Sequence, residues 1–152
     1  MKEQYLVTTR LIERLHRRFL DVIKAELDRL SILDINNVQT LILFNISEDQ
    51  LTVGELTRRG YYLGSNVSYN VKKLVENGYL IQKRSEHDRR ETRVSLSEKA
   101  LDLTARINEL YQRNAEELSG SLSEDQLKTV NTALLGLERY WSSLVKYDPT
   151  FG

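Results

Sequence analysis

At 152 residues the chain has room for one domain, or one compact domain with helical extensions, and a hydrophobic content of 40% allows a real core. The absence of cysteine excludes a disulfide framework, a thiolate metal site and a thiol redox sensor, and no run of about 18 apolar residues reads as a membrane span. A formal net charge of zero hides an uneven distribution: residues 1–57 carry −2, residues 58–93 carry +5 and residues 94–152 carry −3, so the positive charge gathers in one segment, the footprint of a surface for a polyanion.

One proline and seven glycines in a chain rich in Leu, Glu and Arg predict a mostly helical protein. Met1-Lys2-Glu3-Gln4 reads as the start of an amphipathic helix and not as a signal peptide. Residues 2–30 form that helix. Tyr5, Ile12, Leu15, Phe19, Val22, Ile23, Leu27 and Leu30 recur at steps near three and four, with charged residues from Arg10 to Asp28 opposite. The Arg14, Arg17, Arg18 group reads as a solvated face. His16 lacks a metal-binding partner at the next turn and reads as a packed or surface residue.

A second helix is expected over Asn37–Ile46, opened by an Asn36/Gln39 capping box and apolar through Val38, Leu41, Ile42 and Phe44. Ser47–Leu51 reads as a turn. A short third helix spans Val53–Arg59, with Thr52 and Glu55 as its capping box and Gly60 as its stop.

The next segment, Ser65–Ser97, is the one the rest serves. Val67, Val71, Leu74 and Val75 fall on one helical face, while Ser65, Asn66, Ser68, Tyr69, Asn70, Lys72 and Lys73 show on the other. Short hydrogen-bonders and cations are the side chains that meet base edges and phosphates. Asn66 or Asn70 suits an adenine, and Ser65, Ser68 and Tyr69 suit bases or phosphates. Gly78 supplies the stop. Two strand-like runs follow, Tyr79–Arg84 and Thr92–Leu96, the second alternating. The charged loop between them holds His87, Asp88, Arg89 and Arg90. Helix, turn, polar helix and basic hairpin make a winged helix-turn-helix, with Lys72, Lys73, Lys83, Arg84 and Arg93 as the expected phosphate contacts.

Ser97 and Glu98 open a fifth helix, lined on one side by Ala100, Leu103, Ile107, Leu110, Asn114 and Leu118. Gly120 and Ser121 break it. A Ser123/Gln126 capping box starts the last helix. There Leu127, Val130, Leu134, Leu137, Trp141 and Leu144 follow a 3-4-3-4-3 spacing, a heptad seam fit for pairing with a second copy. Tyr147-Asp148-Pro149 reads as a structureless end.

These residues resemble the MarR family of winged helix-turn-helix transcription regulators. The resemblance runs over nearly the whole chain. It is most specific in Lys73-Leu74-Val75-Glu76-Asn77-Gly78-Tyr79-Leu80, in Asp88-Arg89-Arg90 and in Val94-Ser95-Leu96-Ser97. It implies a mainly α fold with a small β-wing. Within a single subunit of residues 1–152, a DNA-binding lobe at 34–97 would lie between dimerisation helices at 1–30 and 98–147. It implies that Arg90 enters the minor groove and that Asp88 braces the wing by pairing with an arginine. It also implies a cytoplasmic, nucleoid-associated homodimer on a near-palindromic operator, a repressor or an activator, released from or retuned on that operator by a small aromatic or phenolic effector. The effector's cleft would be lined by the first and second helices and the start of the fifth. No cofactor or metal is called for. Two departures stand out: Tyr61-Tyr62 is bulky for the turn before the recognition helix, and that helix holds no arginine for bidentate reading of guanine. A winged-helix protein-interaction module without an operator is the alternative. No nucleophile–base pair, phosphate loop or metal set supports an enzyme.

Overall fold

The computed structural model describes residues 1–46, 51–60, 66–84 and 92–145. Its architecture is the expected one, mostly helical with a small antiparallel sheet. The chain divides into two units, Met1–Ile107 and Asn108–Gly152.

Helix α1 (Lys2–Arg29) buries only Ile23, Glu26 and Leu27, near its C-terminal end, and packs there on α2 (Asn37–Ile46). Tyr5, Leu11, Leu15, Phe19 and Val22, further back along α1, are exposed in the single chain. α1 closes through a two-bond cap: Ile32 N–H donates to the Leu27 carbonyl at 2.9 Å and Ser31 N–H to that of Asp28 at 3.1 Å. Ser31 takes the left-handed conformation, φ 57°, that glycine usually supplies.

α2 is buried on most sides, at Gln39, Thr40, Leu41, Ile42, Leu43 and Ile46. It touches α1, α3 (Val53–Gly60), α4 (Val67–Glu76) and the sheet, as a helix buried on most sides must. Both of its expected capping bonds form: Gln39 N–H donates to Asn36 Oδ1 at 2.8 Å, and Asn36 N–H donates to Gln39 Oε1 at 3.0 Å.

The sheet has three strands in the order β1-β3-β2, from β1 (Leu51–Thr52), β2 (Leu80–Arg84) and β3 (Thr92–Leu96). β1 takes in Leu51, expected as the end of a turn, while residues 47–50 lie outside the described residues. Leu51 pairs with Val94 and Thr52 with Arg93, so the entry to α3 is stitched to the wing. Two residues are too few to display an alternation. The pairing of β2 with β3 runs from Leu80 opposite Leu96 to Arg84 opposite Thr92. Val94, at the centre, is buried, while Thr92 and Leu96 are half-buried.

The core of the first unit joins Ile23, Ile42, Leu43, Ile46, Leu56, Leu74, Val94 and Ile107, each at most 1% exposed. The expected inner face of α5 (Glu98–Leu118) is buried at Ala100, Leu103, Ile107 and Leu110, and turns outward at Asn114 and Leu118. In the second unit, α6 (Glu124–Leu144) starts with its full capping box and buries no residue. Leu127, Val130, Leu134 and Leu144 of the seam are exposed, Leu137 and Trp141 half-buried. Among the described residues no helix is long and apolar enough to cross a membrane.

Candidate nucleic-acid interface

Helix α4 is held by its apolar stripe. Val67, Val71 and Leu74 are buried, and they turn Asn66, Ser68, Tyr69 and Lys72 outward, all exposed. Asn66 occupies the N-cap position without a side-chain capping bond, so its amide is not used to start the helix. Lys73 is half-buried. Its ammonium is 3.3 Å from the Glu76 carboxylate and 5.8 Å from the centre of the Tyr69 ring. That ion pair is open to water and weak, worth about 0–1 kcal/mol, so it leaves the lysine able to turn to a phosphate. Asn70 lies differently. It is half-buried and its Oδ1 accepts a 3.1 Å hydrogen bond from Gln39 Nε2 of α2. The helix ends on Gly78 (φ 81°), with Tyr79 N–H donating to the Leu74 carbonyl at 2.9 Å and Gly78 N–H to that of Val75 at 3.1 Å.

The wing strand β2 presents Ile81, Gln82, Lys83 and Arg84 to solvent. Arg93, on β3 across from Lys83, is half-buried. Ser65, Asp88, Arg89 and Arg90 lie outside the described residues. Arg58 on α3 is exposed and was not among the expected contacts. In a helix-turn-helix the first helix crosses the DNA backbone, so a cation on its outer face was legible from position alone. Arg58, Lys72, Lys83 and Arg84 are all exposed cations of the lobe. Among the described residues no three acidic or histidine side chains converge as a metal site requires.

The lobe also holds a polar cluster that periodicity could not foresee. Asp34, in the link between α1 and α2, accepts from the Tyr79 hydroxyl at 2.8 Å and from Lys99 Nζ at 2.9 Å. Its backbone carbonyl accepts from Asn77 Nδ2 at 2.8 Å. Lys99 Nζ also donates to the Asn77 carbonyl at 3.1 Å and sits 4.2 Å above the Tyr79 ring. Desolvation pulls the Asp34 carboxyl upward, but the hydrogen bonds from Lys99 and Tyr79 and the lysine's charge outweigh it and hold the group below the ordinary carboxylate value. Burial, followed by the Asp34 carboxylate, pushes the Tyr79 phenol well above its usual range. Next to the cluster is an open cavity of about 290 Å³, lined by Leu30, Ile32, Tyr79, Lys99, Asp102, Leu103 and Arg106. The segment just after α1 and the start of α5 border it, and no residue of α2 lines it.

Comparison with known proteins agrees with this geometry. The MarR family pattern matches residues 33–91. The exopolysaccharide II synthesis transcriptional activator ExpG of Rhizobium meliloti (strain 1021) is 37% identical over 144 residues, covering 94% of this chain and 74% of that protein. Streptococcus pneumoniae FabT, solved in complex with DNA, superposes with a TM-score of 0.75 at 18% identity, over 93% of this chain and 99% of that one. The organohalide-sensing regulator RdhR-CbdbA1625, solved in its 2,4-dichlorophenol-bound form, gives a TM-score of 0.76 at 19% identity, over 98% of this chain and 87% of that one. With the family pattern lying on the lobe built around α4 and a relative of this identity along nearly its whole length, the chain belongs to the MarR family of winged-helix, DNA-binding transcription regulators.

Proposed function

We propose that the protein acts as a homodimer on a near-palindromic operator and is retuned there by a small aromatic or phenolic effector. The observation that carries the reading is the outward face of α4, where Asn66, Ser68, Tyr69 and Lys72 stand exposed in one lobe with Lys83 and Arg84 of the wing. Two copies of α4 would enter successive major grooves about one helical turn apart. Arg90, by the family resemblance, would reach the minor groove between phosphate contacts. Exposed apolar residues along α1 and α6 support the pairing of two chains through residues 1–30 and 98–147, leaving 34–97 as the reading lobe. The effector part of the reading is supported by the cavity beside Tyr79 and by the dichlorophenol bound to a protein of the same fold. A regulator of this kind works in the bacterial cytoplasm, on the nucleoid. Whether it represses or activates follows from where its operator lies relative to the promoter.

Selection of bound duplexes from a random pool, at two salt concentrations, tests this. The expected outcome is an enriched inverted repeat with half-sites about one turn apart, bound less tightly as salt rises. Weak binding without enrichment would overturn the operator reading and favour a partner-binding winged helix.

A further inference from the structure

Apolar packing fixes how deep a helix sits but resists rotation and tilt poorly; directional hydrogen bonds resist both. The recognition helix α4 has both kinds of hold. Val67, Val71 and Leu74 set its depth. Among the described residues, the side chains of Asn70 and Asn77 tie the helix to one short stretch, residues 34–39, between α1 and the first turn of α2. Gln39, only 7% exposed, bonds Asn70 at the middle of the helix. Asp34 takes the C-terminal end, through Asn77 at 2.8 Å and Tyr79 at 2.8 Å. The same Asp34 carboxylate takes Lys99 from the first turn of α5 at 2.9 Å, and that ammonium returns to the Asn77 carbonyl at 3.1 Å. Ser97 closes the ring. Its Oγ donates to the Gly78 carbonyl at 2.6 Å, and its N–H donates to that of Tyr79 at 3.0 Å. The link between α1 and α2, the end of α4, the start of the wing and the start of α5 thus meet on one residue.

The stability of its ion pair does not explain this convergence. The Asp34 and Lys99 side chains are 44% and 51% exposed, and pairs so open to water contribute little to folding. Geometry does explain it. In a dimer held through residues 1–30 and 98–147, the tilt of α4 relative to α1 and α5 determines the separation of the two reading heads.

We propose that Asp34 is a positioning residue for operator recognition, fixing the tilt of α4 against α1 and α5 and thereby the half-site spacing that the dimer accepts. The proposal rests on the dimeric operator reading above. Its test uses the full chain, the selected operator, and two derivatives with one base pair added or removed between half-sites. Each such change moves the second site by about 3.4 Å along the axis and turns it by roughly a tenth of a helical turn. The wild type is expected to prefer the selected spacing by roughly tenfold or more. Asp34→Ala should narrow that preference by about threefold to tenfold. Lys99→Met should narrow it in the same way, and the double variant should add little to either, because both act through one contact. Asp28→Asn, which breaks the exposed Lys24–Asp28 pair on α1 with the same loss of charge, should leave the preference intact. Thermal melting is followed for each variant, and Tyr79→Phe, which removes only a hydroxyl, stands in should Asp34→Ala fail to fold. An unchanged spacing preference overturns the proposal. So does an equal loss of affinity for all three duplexes, which marks a merely structural role. Failure of the wild type to enrich any duplex brings down the operator reading, and this proposal with it.

Discussion

Asn66 and Asn70 carry the same side chain four positions apart on one helix, yet they do different work. Asn70 stands at the third step from Val67 and the fourth before Leu74, so helical spacing places it on the inner stripe. Its polarity suggested a base reader, and its position argued for a buried partner. That partner is Gln39, whose other amide atom already caps α2. Asn70→Ala would leave the nearly buried Gln39 amide without its acceptor, and should lower unfolding free energy in urea by about 1–3 kcal/mol while the selected DNA sequence stays the same. Asn66→Ala should do the reverse, leaving stability close to wild type and changing the base preference at one operator position. Two equal outcomes would refute the division. Asp34 and Lys99 were legible neither way. They are separated by 65 residues, and a contact between distant residues leaves no periodic trace.

At the level of elements, what could be read was what is local. The capping boxes at Asn36/Gln39, Thr52/Glu55 and Ser123/Gln126 all form, because each joins residues three apart and needs nothing from the rest of the chain. Gly78 stops α4 as its residue type demanded, but the stop of α1 falls on Ser31, a residue with no such signature. Strand β1 escaped notice since its pairing is imposed by β3 and not by its own two residues. The seam on α6 is the element whose partner is still to be tested. Leu134 sits near its centre and is 41% exposed. With a second chain covering that stripe, Leu134→Glu would bury a carboxylate against apolar side chains, a change that charged groups strongly resist. Sedimentation should then show a monomer where the wild type is a dimer, with helical content unchanged. A dimer that survives would place the interface elsewhere.

Across the whole molecule, charge is arranged by segment. The flanking segments carry −2 and −3, and the lobe segment between them +5. A neutral chain can therefore still bind a polyanion, because attraction acts locally within about 8–10 Å at ordinary salt. Replacing Lys83 and Arg84 together by glutamine removes two exposed cations per chain and four per dimer. With each phosphate contact contributing a slope of about −0.9 in log affinity against log salt, the salt dependence should flatten by up to about 3.6. Base preference should not change, since these side chains belong to the wing and not to the outward face of α4. A slope equal to the wild type's would take both residues out of the interface.

The chain has a single tryptophan, Trp141, and it lies half-buried within the apolar seam of α6. Its emission under selective excitation therefore comes from that seam alone, without contribution from the reading lobe. An indole that exchanges water for leucine side chains shifts its light to shorter wavelength and becomes harder for iodide to quench. Ordinary fluorimetry on the unlabelled protein can thus follow self-association across a dilution series, and separate an effector that parts the two chains from one that only moves α4.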